Sequence, residues 1–275
     1  MKKSDSFSKK EFLKMTNEEL RENNICNLFE KDIVNSVYSY YDRVIVMGAR
    51  PESKKLDISS GEYIHAKYLL ENRELGIINI GFDGVVSVDG KEYILKNKEA
   101  LYIGKGKQKI IISSKDNKNP ALFYMLSAPA HKEYETKIVD IEHANKLKLG
   151  TKEEINERVI YQLIHPSILD TCQLSMGITC LEIGSAWNTM PPHTHDRRTE
   201  VYLYFDMKKD STVFHFMGEP SNTRSLVVHN NEAVINPPWS VHFGVGTSNY
   251  SFVWGMAGEN KEFDDMDHIK ISNIK

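Results

Sequence analysis

The stretch WNTMPPHTHDRRTEVYLYF, residues 187–205, carries His193, His195 and Glu200 in an H-x-H-x4-E spacing. Side chains alternate faces along a β-strand, so His193 and His195 point the same way. A short turn at Asp196–Thr199 is expected to bring the next strand, Val201–Phe205, back alongside with Glu200 facing the same interior. A further histidine, His242, follows in PPWSVHFGVG, residues 237–246. Three imidazoles and one carboxylate make a ligand set suited to a divalent first-row metal.

Outward from this cluster the chain reads as β structure. Short β-type runs precede it at Val44–Met47, Gly76–Ile80, Val85–Val88, Glu92–Leu95, Ala100–Ile103, Lys109–Ser113 and Ala121–Leu126. A second series runs through Val159–Ile164, Cys172–Leu181, Val201–Phe205, Thr212–Met217, Ser225–Val228, Ala233–Asn236 and Tyr250–Met256. Asp89-Gly90 between two alternating runs is a hairpin turn. Many short strands without βαβ spacing point to a sandwich or barrel. Residues 128–157 are polar and read as a connection between two halves. Residues 1–40 are charged and helix-prone, with Thr16 placed to cap a helix through Leu20, Ile25 and Leu28. The expected division is a helical segment over 1–40, a half without a metal site over 41–140, and a metal-bearing half over 141–275.

A faint internal repeat supports two related halves: Lys98-Glu99-Ala100-Leu101 echoes Asn231-Glu232-Ala233-Val234. The first half has only His65 and His131, far apart, so only the second carries a ligand set.

Composition narrows the function. Hydrophobic residues make up 40% of the chain and charged ones 27%, as in an ordinary soluble globular protein. A net charge of −3 offers no basic face for nucleic acid. The lysine-rich stretches Lys96–Lys98, Lys105–Lys109 and Lys115–Lys118 read as turns and solvated strand edges. No apolar run is long enough to span a membrane, and the basic N-terminus lacks the apolar centre of a secretory signal. Cys26, Cys172 and Cys180 form no C-x-x-C, which fits reduced thiols in a cytoplasmic protein.

H-x-H-x4-E with a later P-x-W-x-x-H resembles the two metal motifs of the cupin superfamily. Gly184 lies further ahead of His193 than cupin spacing usually has it, and Trp239 stands where the second motif usually has glycine. Both departures fit one family within the superfamily. CQLSMGITCLEIGSAWNTMPPHTHDRRTEVYLYFDM, VINPPWSVHFGVGT and FVWGMAGENKEFDDMDH closely resemble the 5-keto-4-deoxyuronate isomerases of pectin breakdown. That resemblance implies an all-β fold of two cupin-like barrel or jelly-roll halves with a short helical N-terminal segment. It also implies one Zn²⁺ per subunit, held by His193, His195, Glu200 and His242, and a homohexamer.

The implied reaction is an aldose–ketose isomerisation of an open-chain uronate, moving the carbonyl from C1 to C2 through an enediolate. Glu200 is the candidate base, as the ligand most able to detach. The substrate carboxylate calls for arginine, and Arg197 and Arg198 sit in the turn of the metal motif. Gln173 and Tyr202 are candidates for orienting a substrate hydroxyl, Tyr202 because alternation places it on the Glu200 side. His215 and His229 read as hydrogen-bonded or surface histidines. Trp187, Met190, Trp239, Trp254 and Met256 read as barrel lining or subunit contacts. Asp264, Asp265 and Asp267 read as a solvated turn. Two rival functions share the ligand set: a non-haem iron cupin dioxygenase, and a cupin that binds a sugar acid without catalysis.

Overall fold

The computed structural model describes residues 1–259 and 265–275. The strands build two cupin-like barrels standing back to back, each made of a seven-stranded sheet facing a smaller one. In the first barrel the large sheet runs in the order Lys2–Ser4, Val34–Ser39, Ile45–Ala49, Phe123–Pro129, Arg73–Asn79, Ala100–Ile103 and Lys137–Val139. Its partner sheet holds Leu56–Asp57, Ile110–Ser114, Gly84–Val88 and Lys91–Leu95. In the second barrel the order is Asn145–Leu149, Arg158–Ile164, Ser175–Leu181, Ser251–Gly258, Arg198–Phe205, Glu232–Asn236 and Ile25–Asn27. Asn222–Val228, Val213–Glu219 and Val241–Gly246 close it. No described helix is long and apolar enough to cross a membrane.

The central strands are buried on both faces, and period-two alternation divides their side chains between two cores. Val201, Leu203 and Phe205 enter the core between the large sheets, while Tyr202 and Tyr204 enter the second barrel. In the first barrel Leu75, Ile77, Phe123 and Met125 point inward, and Ile78, Tyr124 and Leu126 point to the shared core. The large sheets approach so closely that a Cβ at Gly76 would stand 2.3 Å from Met176 Sδ. A buried carboxylate joins the barrels: Glu74 accepts from the amides of Cys172, Gln173 and Leu174 at 2.7, 2.7 and 2.9 Å, and from the Tyr102 hydroxyl at 2.7 Å.

Several local expectations hold. Gly84–Val88 and Lys91–Leu95 pair across Asp89-Gly90, both with positive φ, as a two-residue hairpin turn requires. Thr16 caps a helix in a capping box with Glu19. That helix stops at Asn24, and Ile25–Asn27 instead becomes an edge strand against Glu232–Asn236. The polar stretch 128–157 is also not a bare connection, since it contains Lys137–Val139 and Asn145–Leu149. Each is the outermost strand of a large sheet, half exposed, so little apolar pattern marks it. The run from Cys172 becomes strand only at Ser175, because its first three amides are committed to Glu74.

Candidate metal centre

Glu200 lies on Arg198–Phe205, whose two edges are taken by Glu232–Asn236 and Ser251–Gly258. No edge is left for a hairpin with the H-x-H segment. The expected pairing across Asp196–Thr199 therefore does not form, and His193–Thr194 pairs with Asp267–His268. The turn still forms, with the Arg198 amide donating to the His195 carbonyl, and it returns the chain so that both histidines meet Glu200. His242 arrives from the facing sheet, on Val241–Gly246.

The four side chains are buried, and one ligand atom from each lies within 4.8 Å of all the others. His195 Nε2 and His242 Nε2 stand 3.0 and 2.7 Å from Glu200 Oε2. The rings of His195 and His242 are 4.8 Å apart, and that of His193 lies 5.5 and 4.9 Å from them. Each ring is backed by a main-chain carbonyl. His195 Nδ1 meets Arg198 O at 3.0 Å, His242 Nδ1 meets Ser240 O at 3.1 Å, and His193 bonds to Pro191. Carbonyls accept only, so they draw the ring proton to Nδ1 in His195 and His242 and turn an Nε2 lone pair inward.

Burial first, then the adjacent His242, holds His193 well below the ordinary histidine range, which keeps it a neutral donor. Burial pushes the Glu200 carboxyl up, and only protons on the facing His242 and His195 nitrogens, the place a metal ion would take, pull it below its usual range. An ionised carboxylate facing inward lone pairs is a repulsive arrangement that a cation between them would relieve. The donors therefore fit a metal ion: three imidazole nitrogens and one carboxylate oxygen, all with outer partners in place.

A cavity of about 140 Å³ opens beside the centre. Glu200 and His193 line it, whereas His195 and His242 lie behind. Leu149, Ile160, Phe252, Trp254 and Met256 supply apolar walls, and Tyr202 lines it with its hydroxyl 2.9 Å from Thr189 Oγ1. Arg198 also lines it, fully buried, with Nη2 2.6 Å from Asp265 Oδ1. Arg197 does not line it; it is exposed and bonded to Glu259 through Nε at 2.9 Å. Gln173 lies between the barrels, where its Nε2 donates to Pro129 O at 2.6 Å, and it too is absent from the cavity wall. Asp264 falls outside the described residues, while Asp265 is the partner of Arg198 rather than a solvated turn residue.

Trp254, Met256 and Met190 line the cavity, whereas Trp239 packs on Phe12 with ring centroids 5.5 Å apart. His215 is buried, held by Tyr204 Oη and Asn236 Oδ1 at 2.7 Å each. Sequence reading missed Arg158, His268, Asn188 and Thr179, all of which line the cavity. Arg158 did carry a signal, since it stands two residues before inward-facing Ile160 on one strand.

A model of the KduI/IolB family matches residues 32–271. A 4-deoxy-L-threo-5-hexosulose-uronate ketol-isomerase of Halalkalibacterium halodurans is 53% identical over 249 residues, 90% of each chain. One of Oceanobacillus iheyensis is 48% identical over 268 residues, 97% of each chain. Among solved structures, an IolB-like protein of Salmonella typhimurium superposes with a TM-score of 0.71 at 12% identity. That match covers 90% of this chain and 97% of the other, and is a likeness of fold.

Proposed function

This chain belongs to the KduI/IolB family, and from that premise we propose that it is an aldose–ketose isomerase of uronate catabolism, loaded with zinc. It converts open-chain 5-dehydro-4-deoxy-D-glucuronate to 3-deoxy-D-glycero-2,5-hexodiulosonate; relatives about half identical to it are named 4-deoxy-L-threo-5-hexosulose-uronate ketol-isomerases. The observation that carries the reading is the convergence of His193, His195, Glu200 and His242 at the wall of a mostly apolar cavity. These four would hold the ion. When bound, zinc supplies Lewis acidity toward the C1 and C2 oxygens where negative charge accumulates, without one-electron side chemistry.

The rest of the work falls to side chains. Glu200 borders the cavity, so its carboxylate is the group we assign to take the C2 proton and, after exchange with water in the cavity, to deliver a proton at C1. Tyr202 and Arg198 border it too and would orient substrate oxygens. By family resemblance we read the protein as a cytoplasmic homohexamer, which sedimentation of the purified protein would test.

Incubation with 5-keto-4-deoxyuronate in deuterated water tests the central reading. Turnover lost on chelation and regained with zinc, with deuterium arriving at C1, is expected. Full turnover by metal-free protein, or oxygen uptake by an iron-loaded form, would overturn it.

A further inference from the structure

Two buried arginines line the cavity, and they differ in what neutralises them. Arg198 has Asp265 at 2.6 Å. Arg158, 7% exposed, has none: among the described residues no carboxylate lies within ion-pair distance of it. Its Nη1 donates to Asn156 O and its Nη2 to Met190 O, both at 2.9 Å. Those two carbonyls aim the guanidinium and spend two of its five N–H donors, yet they cancel no charge. Ile160, Leu149 and Trp254 share the cavity wall with it. A cation withdrawn from water without an anion is a strained arrangement, and burial pulls its pKa below the ordinary arginine value.

The structural alternative is that two carbonyls suffice. Arg73 shows what that looks like: equally buried, it bonds Arg43 O, Ser127 O and Ser127 Oγ, and it does not line the cavity. Arg158 differs on both counts, with fewer partners and a place in the wall of the cavity that holds Glu200 and His193.

We propose that Arg158 receives the carboxylate of the substrate, forming the fork-to-carboxylate pair that selects a sugar acid over a neutral sugar. The inference rests on the isomerase reading and sharpens it, since neither turn arginine, Arg197 or Arg198, is then the main anion partner. Holding the far end of an open chain would orient the C1–C2 end toward the metal ligands.

The test compares zinc-loaded wild type, Arg158→Gln and Arg158→Lys on 5-keto-4-deoxyuronate and on the same chain ending in a C6 primary alcohol. Arg158→Gln should raise KM for the uronate about tenfold to a hundredfold, as loss of a hydrogen bond to a charged group does, with kcat changed by less than about threefold. Its kcat/KM for the alcohol should stay near the wild-type value, so the preference for the acid collapses. Arg158→Lys keeps the charge without the fork and should restore part of that preference. Equal losses on both compounds would make Arg158 a structural residue and overturn the proposal, as would an unmoved KM. If Arg158→Gln fails to fold by circular dichroism, Arg158→Lys decides. A KM raised for the acid alone supports the proposal, and one raised for both or for neither overturns it. A wild type inactive on the uronate removes the isomerase reading itself, and the assignment of Arg158 falls with it.

Discussion

The first barrel places Leu75 and Ile112 where the second places Glu200 and His242. The equivalence follows from register. Lys98 and Asn231 both turn the chain with a left-handed φ, 65° and 67°, and their amides reach Asn79 O and Tyr204 O, each at 2.7 Å. Glu99 and Glu232 then each accept a main-chain amide three residues back, both at 2.8 Å. Five residues beyond the turn, Ile103 faces Leu75 and Asn236 faces Glu200. On the smaller sheets, counting from the two-residue turns after Val88 and Glu219, Ile112 faces Val86 as His242 faces Met217. One scaffold thus carries two interiors. At these positions the first is satisfied by packing; the second gathers lone pairs and a carboxylate that packing cannot satisfy.

The most severe way to break this comparison is to copy the first interior into the second. Glu200→Leu with His242→Ile should abolish stoichiometric zinc binding and lower isomerase turnover by about a thousandfold or more. Metal analysis reads the first and kinetics the second. The thermal midpoint of the metal-free variant should hold or rise, because a repulsive buried cluster is replaced by apolar groups of similar size. A variant that fails to fold would show that the two interiors are not interchangeable.

A smaller effect should come from His215, whose register counterpart in the first barrel is Gly84. Burial pushes His215 down to about 3. The unfolded chain therefore binds its proton at a higher pH than the native one. The stability this group contributes is complete above the unfolded value near 6.5 and drains away as pH falls toward 3. His215→Gln should flatten that loss by a few kcal/mol, at about 1.4 kcal/mol per unit. Urea midpoints of both proteins between pH 4 and 8 would show it, and parallel curves would remove His215 as the cause. The smallest change should follow Ile112→Val, which removes one methylene from the apolar interior. It should cost about 1 kcal/mol by denaturant titration and leave isomerase kcat/KM untouched, which sharpens the division of labour between the barrels.

Much of the fold was legible because its signals are local. The Thr16 cap, the Asp89-Gly90 turn and the alternation that sends Tyr202 and Val201 to opposite faces each depend on a few neighbouring residues. Edge strands such as Asn145–Leu149 were not legible, since a strand with one exposed face needs no apolar pattern. The ligand set was visible from spacing, although the hairpin imagined to assemble it does not exist. His193–Thr194 pairs with Asp267–His268, far along the chain, because nearer edges were already occupied.

The residue types and their order alone pointed to the β class, the family likeness and the four side chains that converge, since spacing along a strand dictates which face a side chain takes. What only the folded chain could decide was which charges meet. Arg198 found Asp265, Arg197 found Glu259, and Arg158 was left without a carboxylate among the described residues beside the same cavity as Glu200. Ion pairing between distant segments depends on how sheets stack and where strand edges close, and no local pattern encodes that.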